Sequence, residues 1–110
     1  MRIPNGDAAI VDDEKITEYL LNPAHPVGGP KARLFKALLG LDLTNAHLLK
    51  AALLSAARNV DAIAGKSSPF GQKYELRFQM TGPRGPYTIL SIWIVPVGHV
   101  EPRLVTAYIE

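Results

Sequence analysis

His25, Lys31, Arg103, Thr106 and Tyr108 are the residues of this 110-residue chain whose types could act together on a phosphate. They fall in two segments, His25-Pro26-Val27-Gly28-Gly29-Pro30-Lys31-Ala32 and Pro102-Arg103-Leu104-Val105-Thr106-Ala107-Tyr108. An imidazole flanked by proline is presented by a stiff backbone, and its neutral form can take a proton from a ribose 2′-hydroxyl. Lys31 and Arg103 would neutralise a phosphorane, Thr106 would bond a phosphate oxygen, and Tyr108 would donate a proton or stack a base. Plainer roles stay open for the same residues. His25 can fix its own loop, Arg103 can pair with a carboxylate at a sheet edge, and Tyr108 can cover apolar surface.

Gly28, Gly29 and Lys31 suggest an anion site, because glycines let backbone approach closely and a helix start offers N–H donors beside the ammonium. The spacing is not that of a P-loop, which excludes the usual nucleoside triphosphate cradle. The alternative is a tight turn leading into a helix with Pro30 at its first position. Glu75 is the substitute general base if His25 is structural. His47 and His99 are expected at the surface. Without cysteine, and without ligand spacing among the three histidines, no metal site and no cofactor are expected.

Positioning these groups requires helices followed by strands. Asp12, Asp13 and Glu14 precede Ile16, Tyr19 and Leu20 at helical spacing, and Asn22-Pro23 ends that helix. A second helix runs from Pro30 to Leu39 and stops at Gly40. A third, capped by Thr44, keeps its apolar period through Ile63 and Ala64 to Gly65. From Phe70 the period becomes two, with turns at Gly82-Pro83-Arg84-Gly85-Pro86 and Gly98-His99. The expectation is one α+β domain over residues 1–110, three N-terminal helices packed on one face of a three- to four-stranded antiparallel β-meander. Alternation assigns Leu90, Ile92, Ile94, Val105, Ala107 and Ile109 to the core. It assigns Glu75, Arg77, Gln79, Ser91, Trp93, Leu104, Thr106 and Tyr108 to the outer face, a platform for substrate. Arg103 then falls on the other side from Thr106 and Tyr108 unless a bulge redirects it.

Net charge is +2, but residues 1–22 hold two basic and five acidic residues, leaving ten basic and five acidic for the remainder. A mildly basic body tolerates phosphate partners. No secretory leader and no membrane-length apolar run are evident, so a cytoplasmic chain that does not enter membranes is expected.

Ile3-Pro4-Asn5, Lys15, Tyr19-Leu20-Leu21-Asn22-Pro23, His25-Pro26, Gly28, Lys31-Ala32, Phe35, Trp93 and the segment Pro102 to Tyr108 resemble a small uncharacterised bacterial domain family over nearly the whole chain. More distantly, helices followed by a small sheet whose last strand carries Thr-x-Tyr are similar to the barnase, colicin D, colicin E5 and RelE-like group of toxin ribonucleases. That resemblance implies a metal-independent endoribonuclease of toxin type, with an RNA substrate and a small cognate antitoxin-like partner. Two further readings are carried with it. One is a protein-interaction module docking through the face around Trp93 and Leu104, and the other is a noncatalytic anion or nucleotide binder at Gly28 to Lys31.

Overall fold

The computed structural model describes residues 1–110. Helix α1 (Asp13–Lys15) passes directly into a π-helical turn (Ile16–Leu20), followed by α2 (Gly29–Leu39) and α3 (Ala46–Asn59). The strands are β1 (Ala62–Ser68), β2 (Gly71–Gly82), β3 (Gly85–Pro96) and β4 (Arg103–Ile109). They form one antiparallel sheet in the order β1-β2-β3-β4. No single helix is long and apolar enough to cross a membrane.

Local chemistry accounts for the boundaries. Gly40 ends α2 in the left-handed region at φ 67°, where a side chain would be strained. Asp42, rather than Thr44, caps the helical turn leading into α3: its carboxylate accepts the Thr44 N–H at 2.8 Å, and Asn45 returns a bond to the Asp42 N–H at 2.8 Å. The third helix also stops earlier than its apolar period predicts. Val60 has extended backbone, and Ala62 to Ser68 leave helix to pair with β2. A run such as Val60, Ile63 and Ala64 fits either period, and pairing with β2 decides it.

The core joins Phe35, Leu49 and Leu53 of the helices to Leu76, Ile89 and Trp93 of the sheet. Trp93 is 0% exposed, which overturns its assignment to the outer face. Ser91 and Leu104 are buried with it. The hairpin pairing Gly82 with Gly85 fixes the register, placing Trp93 opposite Tyr74 and Ser91 opposite Leu76. Polar atoms in this part of the core are partnered: the Trp93 indole N–H donates to Ser91 Oγ at 2.9 Å, and Ser91 donates to the Leu76 carbonyl at 2.8 Å. Leu90, Ile92 and Ile94 therefore lie on the face away from the helices.

In β4 the ladder slips by one residue. Trp93 pairs with Leu104 and Ile92 with Thr106, leaving Val105 as a bulge. Residues before and after the bulge keep different alternations, so Leu104 and Ala107 are both buried while Arg103, Thr106 and Tyr108 share the open face. Three rows cross that face: Lys73, Ile94 and Arg103; Glu75, Ile92 and Thr106; Arg77, Leu90 and Tyr108. Simple alternation puts Val105 inside and Leu104 outside; the bulge reverses both.

Candidate functional site

Tyr19 is the centre of the cluster, although its sequence position suggests only part of an apolar helix stripe. The π turn that carries it is marked by the Leu21 N–H donating to the Ile16 carbonyl, five residues back, at 2.9 Å. Such widened turns re-aim side chains and concentrate at functional positions. Here Ile16 and Leu20 are buried while Tyr19 stays half-buried at the β4 edge. The phenol oxygen accepts a hydrogen bond from Lys31 Nζ at 3.0 Å and shares one with Thr106 Oγ1 at 3.3 Å. Lys15 and Lys31 each hold an ammonium 5.2 Å from the ring centroid. The Lys15-x-x-x-Tyr19 spacing, one helical turn, is the sequence signal for this pair.

Burial alone would raise the Tyr19 phenol. The hydrogen bonds from Thr106 and Lys31, with the charges of Lys31 and Lys15, outweigh it and hold the phenol below its ordinary value. Removing the proton leaves a phenolate that these same neighbours stabilise.

His25 packs edge-on against Tyr19, with ring centroids 5.0 Å apart. Its Nδ1 accepts the backbone N–H groups of Val27 at 3.0 Å and Gly28 at 2.9 Å. In the neutral tautomer that accepts both bonds, the ring carries its proton on Nε2. The Gly29 N–H in turn donates to the His25 carbonyl at 2.8 Å. The free backbone donors expected at Gly28 and Gly29 are thus already taken within the loop, which corrects the reading of those glycines as an anion cradle. Their small size serves another purpose. A Cβ on Gly28 would collide with the Tyr19 carbonyl, and one on Gly29 would lie 2.7 Å from the Pro23 carbonyl oxygen. The glycines let the loop close against the π turn and so set the distance from Lys31 to Tyr19.

Lys31 and Thr106 thus meet, through Tyr19, across 75 residues of chain. Tyr108 is one step along the open face from Thr106. Arg103 stands at the start of β4, half-exposed, 4.0 Å from Asp12. Glu75 lies two strands from Thr106, roughly 10 Å away by sheet spacing, and is ion-paired with Arg77 at 3.4 Å. His47 and His99 are exposed, and His47 lines a separate recess with Asp13 and Thr17. Beside Tyr19 a groove of about 320 Å³ is lined by Asp12, Glu14, Lys15, Glu18 and His25. Its three carboxylates repel an anion, so the approach open to a phosphate is from the Lys31 and Thr106 side.

The chain belongs to the family described as a domain of unknown function (DUF6883), whose model matches residues 2–110. None of the curated proteins matches it. Among solved structures it is similar to a chain of a contact-dependent growth inhibition toxin–immunity protein complex from Klebsiella pneumoniae 342, at 19% identity and a TM-score of 0.67. That likeness covers 93% of this chain and 100% of the other, and at such identity it is a likeness of fold.

Proposed function

We propose that this domain is a metal-independent endoribonuclease of toxin type. The observation that carries the reading is the Tyr19 phenol oxygen held between Lys31 Nζ and Thr106 Oγ1. Three segments distant in sequence converge there on one acid–base group flanked by cations. In the proposed reaction a ribose 2′-oxygen gives its proton to the Tyr19 phenolate and forms a bond to the adjacent phosphorus. The bond from phosphorus to the 5′-oxygen breaks, leaving a 2′,3′-cyclic phosphate, and the departing oxygen takes a proton from water. Lys31 stabilises first the phenolate and then the charge on the phosphorane. Thr106 bonds a phosphate oxygen, while Arg103 and Tyr108 hold the strand on the open face. Tyr19 thereby takes the base role that the sequence assigns to His25, whose Nδ1 lone pair is committed to its own loop.

The fold shared with a chain of a toxin–immunity complex supports the toxin reading, and it supports a small partner protein that would hold the activity in check. The test is incubation of the purified chain with single-stranded RNA in EDTA, with Thr106→Val as control. Cyclic phosphate ends, lost in the variant while its melting transition persists, are expected. Intact RNA at large enzyme excess refutes the proposal. Phosphate or nucleotide that raises the melting temperature without turnover would favour the anion binder instead.

A further inference from the structure

The largest concavity of the molecule, about 760 Å³, lies on the face of the sheet that no helix covers. Ile92, Ile94 and Val105 form its floor, and Phe70, 79% exposed at the β1–β2 turn, forms a wall. Lys66 and Lys73 stand at its margin. The groove's carboxylate, Glu75, is paired with Arg77, so the unpaired charge facing the groove is positive. Arg103 ends the same cross-sheet row as Lys73 and Ile94.

This groove adjoins the strand position of the candidate site. Val105 is the neighbour of Thr106 in the bulge, and Ile92 is the residue paired with Thr106. From Val105 on β4 to the β1 backbone the groove crosses the sheet, roughly 14 Å at ordinary strand spacing. An apolar floor with an exposed aromatic wall and flanking ammonium groups suits a flat, unstacked base whose backbone carries negative charge. A base still paired and stacked in a duplex cannot lay its face on Phe70 or Ile94.

Building on the nuclease reading, we propose that this groove is a nucleobase subsite, receiving an unstacked base of the same strand whose phosphate Thr106 and Lys31 engage, and that the substrate is therefore single-stranded RNA. Phe70 supplies the stacking surface, and Lys66 and Lys73 neutralise flanking phosphates.

The probe is a short mixed-sequence 2′-O-methyl oligoribonucleotide, which lacks the attacking hydroxyl and so reports binding apart from cleavage. Fluorescence anisotropy with the full chain should show Phe70→Ala weakening binding about tenfold or more, the scale of one base–aromatic stack. An abasic residue at one position of the oligonucleotide should weaken wild-type binding similarly, yet add little in Phe70→Ala, as expected for two changes that remove one contact. Annealing the probe to its complement should abolish the Phe70 effect. Equal affinity of wild type and Phe70→Ala overturns the subsite and leaves the surface to a protein partner, as does a duplex bound as tightly as the single strand. Failure to bind the probe at all also overturns it. Phe70-dependent binding in a chain that cleaves no RNA keeps the subsite and sinks the nuclease reading. Cleavage with a KM insensitive to Phe70→Ala does the reverse.

Discussion

Tyr19→Phe isolates the proposed base from the architecture around it. The substitution keeps the ring that packs against His25 and lies near Lys15 and Lys31, and removes only the oxygen bonded by Lys31 at 3.0 Å and Thr106 at 3.3 Å. A net 0.5–1.5 kcal/mol per hydrogen bond, at the low end for a half-buried group, puts the loss of stability at about 1 kcal/mol. For a chain of this length that is a fall in melting temperature of about 4 °C. Against a folding stability on the order of 5–15 kcal/mol, so small a loss leaves almost every molecule folded at assay temperature. Removal of a general base, by contrast, costs about 10²- to 10⁴-fold in kcat. The assay is therefore paired: kcat and KM for cleavage of single-stranded RNA in EDTA, and a thermal melt of the same preparation. A large drop in kcat with KM nearly unchanged and the melt displaced by a few degrees is expected. Cleavage within about threefold of wild type, on kcat, would refute the base assignment.

Lys31→Met should move the Tyr19 titration upward, because it removes one hydrogen bond and the nearer positive charge that lower the phenol. The sign is fixed by the folded state favouring phenolate: that stabilisation is complete above the ordinary phenol value of about 10 and fades as pH falls through the lowered folded value. The alkaline rise in cleavage rate should shift with it, read against the phenolate absorbance difference between wild type and Tyr19→Phe. Ser91→Ala should cost about 2–3 kcal/mol and lower the melting temperature by about 8–12 °C, since the buried Trp93 N–H loses its acceptor and the Leu76 carbonyl loses a donor. Gly28→Ala forces a methyl group onto the Tyr19 carbonyl and should destabilise by about 1–3 kcal/mol, with cleavage falling further than stability because Lys31 is moved from Tyr19. A variant whose cleavage and melting profile match wild type would show that the loop does not set the site.

The α+β class, the termination at Gly40 and the meander were legible because glycine, proline and a change of period are local signals. Register was legible as well, but in the turn rather than the strand. Both alternations of β3 read as apolar, Leu90-Ile92-Ile94 on one side and Ile89-Trp93-Val95 on the other, so composition could not choose between them. Counting back from Gly82 and Gly85 sets Tyr74 against Trp93 and decides the matter. The bulge at Val105 leaves no mark of its own in the sequence, and without it Arg103 cannot join Thr106 and Tyr108. Residue type alone marks out Lys31 and Thr106 but not Tyr19, because a helical tyrosine beside leucines looks like packing until the tertiary contacts with Lys31 and Thr106 exist. His25 stands out for its presentation between prolines, yet which nitrogen it offers depends on the bend of Val27 and Gly28 around it.

Because Thr106 reaches Tyr19 only when β4 has joined the sheet beside β3, the centre is not assembled until the last strand of the meander has paired. On the proposed nuclease reading, activity arrives in one step with the closing of the sheet, and a partner that delays that step would block it without ever touching the phenol.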